Sequence, residues 1–86
     1  MPRLSEFYGI VIFMYFADHN PPHFHAVYGE YEALIVVADG TVLSGGLPRT
    51  AAYLVEQWRT ERQAELEANW DLAQVPAELR TIEPLR

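Results

Sequence analysis

A chain of 86 residues that contains no cysteine excludes a disulfide framework and any cysteine-ligated zinc or iron–sulfur site. Because 50% of its residues are hydrophobic, the chain has enough apolar surface for one folded core, which excludes intrinsic disorder over most of its length. Its formal net charge of -6, with 12 acidic residues against 6 arginines, argues against binding a nucleic-acid backbone over the whole surface, so nucleic acid is expected only as an indirect partner.

The length fits a single domain over residues 1–86, with a sheet over about 6–46, a helix over about 48–74 and an irregular or short-strand tail over 75–86. The longest apolar stretch, residues 7–17, is too short for a membrane-spanning helix, which needs about 20 residues. The first residues lack the cleavage site of a signal peptide. We therefore expect a cytoplasmic protein that does not contact a membrane.

Strand-like segments occupy the first half of the chain. The segment 7–16 is rich in aromatic and β-branched residues and predicts one strand with apolar side chains on both faces. The prolines of 18–22 then break the pattern. Further strands are predicted at 23–28, 31–38 and 41–43, with tight turns at Gly29–Glu30 and Asp39–Gly40 between them. A four-stranded antiparallel meander of hairpins follows.

One long helix is predicted after the sheet. Pro48 suits the first helical position, and apolar residues then recur at three- and four-residue spacings from Ala51 to Ala73. Arg62 interrupts this stripe, and glutamates interleaved with Arg59 and Arg62 predict a solvated face of mixed charge. The fold class is therefore α+β, a four-stranded antiparallel sheet with one long C-terminal helix packed on one face.

All 3 histidines lie in the segment His19–His25. Alternation along a strand places His23 and His25 on the same side of the sheet, and His19 approaches the same end across the two prolines. In the predicted register Glu32 is diagonal to His25, where a carboxylate holds the tautomer of an imidazole. Asp18, His19, His23, His25 and Glu32 therefore form a candidate site.

The residues leave three roles open for this site. In the first, His23 and His25 have a structural or binding role, packed between Leu34, Val36 and the helix. In the second, a metal-binding protein holds a divalent ion on His19, His23 and His25, and no other cofactor is expected. In the third, a small metal-independent ribonuclease uses His23 and His25 as base and acid, while Arg62 stabilises the developing charge. Candidate binding residues are Asp18, His19, Asn20, Tyr28 and Glu32.

The first predicted strand also points to a partner. A single helix covers only one face of a sheet, yet residues 7–16 are apolar on both faces. Large apolar patches left in solvent mark partner surfaces. We therefore expect a homodimer through the apolar sheet face, or a complex with another protein.

The segment from Gly9 to Ala33, which includes Asp18-His-Asn-Pro-Pro-His-Phe-His25, resembles the small bacterial proteins of the domain of unknown function 4160 family. The likeness continues at Leu47–Pro48, Trp58, Glu65–Leu66, Asn69–Trp70 and Ile82–Leu85. Members of that family are commonly encoded beside a second small protein, as toxin–antitoxin pairs are, and some are labelled transcriptional regulators. The resemblance implies a protein–protein interaction module of such a gene pair, bound to a small co-encoded partner. Many relatives carry a histidine at the position of Arg62.

Overall fold

The computed structural model describes residues 2–86 as an antiparallel sheet followed by two helices, so the α+β class is confirmed. The elements are β1 (Arg3–Phe7), β2 (Ile10–Phe13), β3 (His23–Tyr28), β4 (Tyr31–Val36), β5 (Val42–Gly45), α1 (Arg49–Glu61) and α2 (Gln63–Gln74). The strands follow one another in the order β1-β2-β3-β4-β5. None of the helices in this part of the chain has the length and apolar content needed to cross a membrane.

The sheet has five strands, so the prediction of four was wrong. The predicted strand 7–16 is divided by a turn at Tyr8–Gly9, where both residues have positive φ (50° and 80°). A two-residue turn with both φ values positive matches the twist of a hairpin and pairs β1 with β2. Consequently Phe7 does not share the outer face with alternate residues of β2; it is buried with its ring 5.3 Å from that of Trp58.

The hairpin of β3 and β4 has the predicted turn and register. Tyr28 pairs with Tyr31 across Gly29–Glu30, His25 lies opposite Leu34 and His23 opposite Val36. Phe24 consequently points to the helical layer, where its ring centroid is 5.9 Å from that of Trp58. The histidines face the opposite side of the sheet.

The single long helix was also a wrong prediction, since α1 and α2 are separated at Arg62. Arg62 has φ -118° and ψ 20°, outside the helical range, so the apolar stripe changes direction there. Pro48 precedes the first helical residue as the N-cap. Arg59 does not belong to a solvated face: it is buried, forms a two-bond ion pair with Glu56 and donates a hydrogen bond to the carbonyl of Val37.

The tail after α2 is irregular and is fixed by three contacts. The amide of Asn69 bonds both the backbone N–H and the carbonyl of Arg80, each at 2.8 Å. Trp58 Nε1–H donates to the carbonyl of Glu83, and the N–H of Ile82 donates to the carbonyl of Leu4 in β1. Trp58 and Trp70 are both buried in the core, as predicted.

The segment between β2 and β3, residues 14–22, lies over the end of the sheet where β3 begins. The N–H of Ala17 donates a hydrogen bond to the carbonyl of Ala73 in α2, and the Tyr15 ring makes an edge-to-face contact with the ring of His25. Part of the outer face is therefore covered by the chain itself.

Candidate metal centre

Strand alternation brings the two histidines of β3 together on one face. The centroids of the His23 and His25 rings are 5.6 Å apart, and both residues are buried. Phe24, between them, anchors the strand in the core, so its backbone position is fixed by apolar packing. The imidazoles are thereby presented at a defined spacing by a rigid element.

The segment 14–22 brings a carboxylate to both rings. Asp18 Oδ2 lies 3.0 Å from His23 Nε2 and 3.8 Å from His25 Nε2. The backbone N–H of His19 donates to the other oxygen, Asp18 Oδ1, at 2.8 Å, which fixes the carboxylate with Oδ2 toward the histidines. One potential ligand atom from each of Asp18, His23 and His25 lies within 4.8 Å of the others.

The remaining nitrogen of each ring faces an acceptor. His23 Nδ1 lies 2.8 Å from the carbonyl oxygen of Pro21, and His25 Nδ1 lies 3.1 Å from Glu32 Oε2. A carboxylate only accepts hydrogen bonds, so Nδ1 of His25 carries a hydrogen and donates it to Glu32, and in a neutral ring Nε2 of His25 then carries the lone pair. Both nitrogens of His23 face acceptors, the carbonyl of Pro21 and the carboxylate of Asp18, and a neutral ring can donate to only one of them.

This arrangement leaves one buried atom without a hydrogen bond. His25 Nε2 is inaccessible to solvent and has no hydrogen-bond partner among residues 2–86, although 8% of the residue surface is exposed. A buried polar atom that is left unpaired costs about 1–3 kcal/mol. His25 therefore presents an unused ligand atom to the carboxylate of Asp18.

The electrostatics keep Asp18 ionised. Partial burial raises the pKa of Asp18, but the hydrogen bond from the His19 N–H and the neighbouring His23 outweigh it, so the pKa lies below its usual value. An ionised carboxylate beside two imidazoles is a set of one oxygen and two nitrogen donors.

Aromatic rings hold both imidazoles in place. The Tyr15 ring meets His25 edge-on with centroids 4.4 Å apart, and the Trp70 ring of α2 lies 5.3 Å from His23. Both contacts are made between rings and not through a nitrogen or oxygen ligand. The packed rings restrict rotation of the imidazoles and the access of water to them. Metal sites are commonly held by such surrounding packing.

The structure separates other candidate residues from this cluster. His19 and Asn20 are exposed, and the described contact of His19 with the cluster is through its backbone N–H. Tyr28 lies at the far end of β3, paired with Tyr31. Arg62 forms its ion pair with Glu65 at 3.2 Å, and within residues 2–86 no hydrogen bond joins it to either histidine.

Sequence reasoning included Asp18 and Glu32 in the candidate site but placed His19, not Asp18, among the metal ligands. The alternation of side chains between the two faces of a strand does not extend into the loop. There the position of the Asp18 carboxylate depends on its hydrogen bond from the His19 N–H. The Pro21 carbonyl and the Trp70 ring were missed, and no local sequence signal marks either of them.

Fold and cluster together define a small α+β domain that presents a two-histidine, one-carboxylate cluster at the end of a meander sheet. The chain belongs to the family described as "Domain of unknown function (DUF4160)", whose model matches residues 9–71. That range contains every residue of the cluster and Glu32. Searches of curated proteins and of solved structures gave no match.

Proposed function

We propose that the protein binds one divalent transition-metal ion through Asp18, His23 and His25. The observation that supports this most directly is the unpaired, buried His25 Nε2, which lies 3.8 Å from the ionised carboxylate of Asp18. The distances from Asp18 Oδ2 to the two Nε2 atoms bracket the spacing of ligands in a coordination shell, and all three atoms lie within 4.8 Å of one another. With metal–ligand bonds of about 2.0–2.1 Å, neighbouring ligands of a tetrahedral site are roughly 3.3–3.4 Å apart, between the 3.0 and 3.8 Å found here.

Without a bound cation, the hydrogen-bonding needs of His23 and His25 are not all met. His23 faces acceptors on both nitrogens, so it satisfies both only by taking a second proton. His25 then still has a buried nitrogen without a partner. A cation between the two Nε2 atoms and Asp18 Oδ2 uses all three as ligands.

Donor chemistry selects the class of metal. Imidazole suits zinc, nickel, copper and iron, whereas magnesium and calcium prefer sites made of oxygen ligands. A pair of histidines with one carboxylate is the ligand set of several non-haem iron and zinc sites. We therefore expect zinc, nickel, cobalt or ferrous ions to bind and magnesium not to compete.

Three protein ligands leave at least one coordination position for water or a small ligand. Structural zinc sites are usually closed by four protein ligands, whereas sites that react with a substrate keep an open position. The Asp18 side chain is 24% exposed, so the open side of the shell is next to solvent at the loop. The proposed centre is therefore of the type that keeps a position open for a substrate or water.

The metal-independent ribonuclease hypothesis has weaker support from the geometry. An acid–base pair acts by exchanging protons with a substrate, yet both Nε2 atoms face Asp18 and both histidines are buried. The arginine that this hypothesis uses, Arg62, is paired with Glu65 instead.

The test is metal binding to the untagged 86-residue chain, because an affinity tag of histidines would bind the same ions. Isothermal titration with Zn²⁺ and the absorption spectrum with Co²⁺ are expected to give one ion per chain. His23→Gln, His25→Gln and Asp18→Asn are each expected to abolish or strongly weaken binding. The matched control is His19→Gln, which removes an exposed histidine beside the ligands and is expected to bind as the wild type does. Equal loss in His19→Gln, or full retention in His25→Gln, contradicts the proposal.

A further inference from the structure

The strands on both sides of His25 carry apolar side chains on the outer face of the sheet, which is the face opposite the helices. Phe13 of β2 and Leu34 of β4 lie directly opposite His25, and residues paired in this way share a face. Both are only half-buried. The row from Phe13 to Leu34 is about 10 Å long, since neighbouring strands are about 4.8 Å apart.

The next row on the outer face is apolar at its centre and acidic at its ends. Val11 pairs with Glu6 of β1 and with Val27 of β3, and Val27 pairs in turn with Glu32. The helices pack on the other face, so both valines are half-buried. The surface next to the proposed metal centre is therefore apolar, with carboxylates at its margin.

The charged groups around the proposed centre are carboxylates. Asp18 and Glu32 face the histidines, and within residues 2–86 no arginine forms an ion pair with either of them. Arg3 of β1 lies beyond Phe13 and is paired with Glu6 at 2.9 Å. Recognition of phosphate normally uses arginine or lysine, so a phosphate ester is a poor ligand for the open metal position.

The cluster lies on an open surface and not in a cavity. The main cavities among the described residues have volumes of about 180–380 Å³, and Asp18, His23 and His25 line none of them. Sites for small molecules are usually concave and bury most of the ligand. An open apolar surface suits a polypeptide, which makes contacts along its length.

We infer that the open metal position accepts a polypeptide segment with apolar side chains. A carbonyl oxygen of the segment completes the coordination shell, while its side chains lie on Phe13, Val27 and Leu34. This inference rests on the proposed metal centre and names the class of its ligand. The net charge of -6 disfavours an acidic segment and a second copy of this chain, so the segment is neutral or basic.

Hydroxamates of short peptides test the inference, because the hydroxamate head binds zinc or cobalt whatever body it carries. The probes are the hydroxamates of acetyl-Leu-Phe, acetyl-Ser-Gly and acetyl-Glu-Glu, titrated into the Co²⁺-loaded 86-residue chain and followed by the cobalt absorption spectrum. The Leu-Phe probe is expected to bind at least about tenfold more tightly than the Ser-Gly probe, because its side chains cover apolar surface. The Glu-Glu probe is expected to bind most weakly.

Leu34→Ser removes part of the apolar row without changing a proposed metal ligand. It is expected to reduce the preference for the Leu-Phe probe to about threefold or less. The matched control is Val75→Ser, at an exposed valine after α2, which is expected to keep the full preference. Binding of one zinc ion per chain in each variant shows that the fold and the centre persist.

The outcomes separate this inference from the metal centre itself. Absence of metal binding overturns both. Metal binding with equal affinities for the Leu-Phe and Ser-Gly probes, or a preference that Leu34→Ser leaves intact, overturns this inference alone. Octanohydroxamate, which carries one alkyl chain, is the comparison for a lipid: if it binds more tightly than the Leu-Phe probe, the ligand is an acyl chain and the assignment of a polypeptide is overturned.

Discussion

Glu32 allows a graded test of the metal centre, because it touches a proposed ligand without being one. Its Oε2 accepts the Nδ1–H of His25 at 3.1 Å, which orients the ring and increases the donor strength of Nε2. Glu32→Gln keeps the size and a possible acceptor but removes the charge. The expected result is weaker metal binding with unchanged stoichiometry.

The size of the effect follows from the geometry. Replacing the carboxylate behind a metal-bound histidine typically lowers affinity about 10- to 100-fold. The Glu32 side chain is 50% exposed, so water screens its charge, and we expect the lower end of that range. A tenfold loss corresponds to about 1.4 kcal/mol of binding free energy.

Competition with a chelator of known affinity measures this change for Zn²⁺. The control is Glu30→Gln in the adjacent turn, which removes the same charge from an exposed residue and is expected to leave affinity within about twofold, since salt screens remote charges. Equal affinities for Glu32→Gln and the wild type would refute the role assigned to the carboxylate. A complete loss of binding would instead make Glu32 a ligand.

Three further results are expected. Zn²⁺ at about 100 times its Kd stabilises the metal-free protein by about 2.7 kcal/mol, which raises the Tm by roughly 11–22 °C in differential scanning fluorimetry; an unchanged Tm contradicts the centre. Asn69→Ala leaves the N–H and carbonyl of Arg80 without partners and lowers the free energy of unfolding in urea by about 1–3 kcal/mol; no change means that the tail is held otherwise. The hydrogen bond and charge of Arg59 hold the pKa of Glu56 below its ordinary value of 4.5, although partial burial opposes them. The stabilisation from Glu56 is therefore complete above that value and lost as pH falls through the lower folded-state pKa, so wild-type stability decreases more steeply than that of Glu56→Gln between about pH 5 and 3.

Local patterns were sufficient where neighbouring residues determine the structure. Alternation and turn residues gave the β3–β4 hairpin with its register, and hence the shared face of His23 and His25 and the approach of Glu32. These features depend only on the alternation of side chains along a strand and on a two-residue turn, and a short stretch of sequence is enough to recognise both.

The two wrong predictions lie where the chain turns within a continuous run of apolar residues. Tyr8 is an aromatic residue at positive φ, which strand propensity does not anticipate, so the turn before β2 was not recognised. The break at Arg62 lies between two helices that share one apolar stripe, and periodicity alone did not reveal it. The missed turn put Phe7 on the outer face in the prediction, whereas it is buried against Trp58.

Properties that depend on another molecule stay predictions. The small co-encoded partner and the toxin–antitoxin-like or regulatory role follow from the family resemblance alone. The cytoplasmic location rests on sequence signals. The homodimer predicted through the apolar sheet face also stays a prediction, and residues 14–22 cover part of that face.

The most direct test of the metal centre is a crystal structure of the zinc-loaded protein with anomalous data at the zinc edge. We predict one strong anomalous peak about 2.0–2.2 Å from His23 Nε2, His25 Nε2 and a carboxylate oxygen of Asp18, with a water completing the shell. A peak bound to other residues, or a His25 Nε2 hydrogen-bonded to water with no metal nearby, would contradict the account.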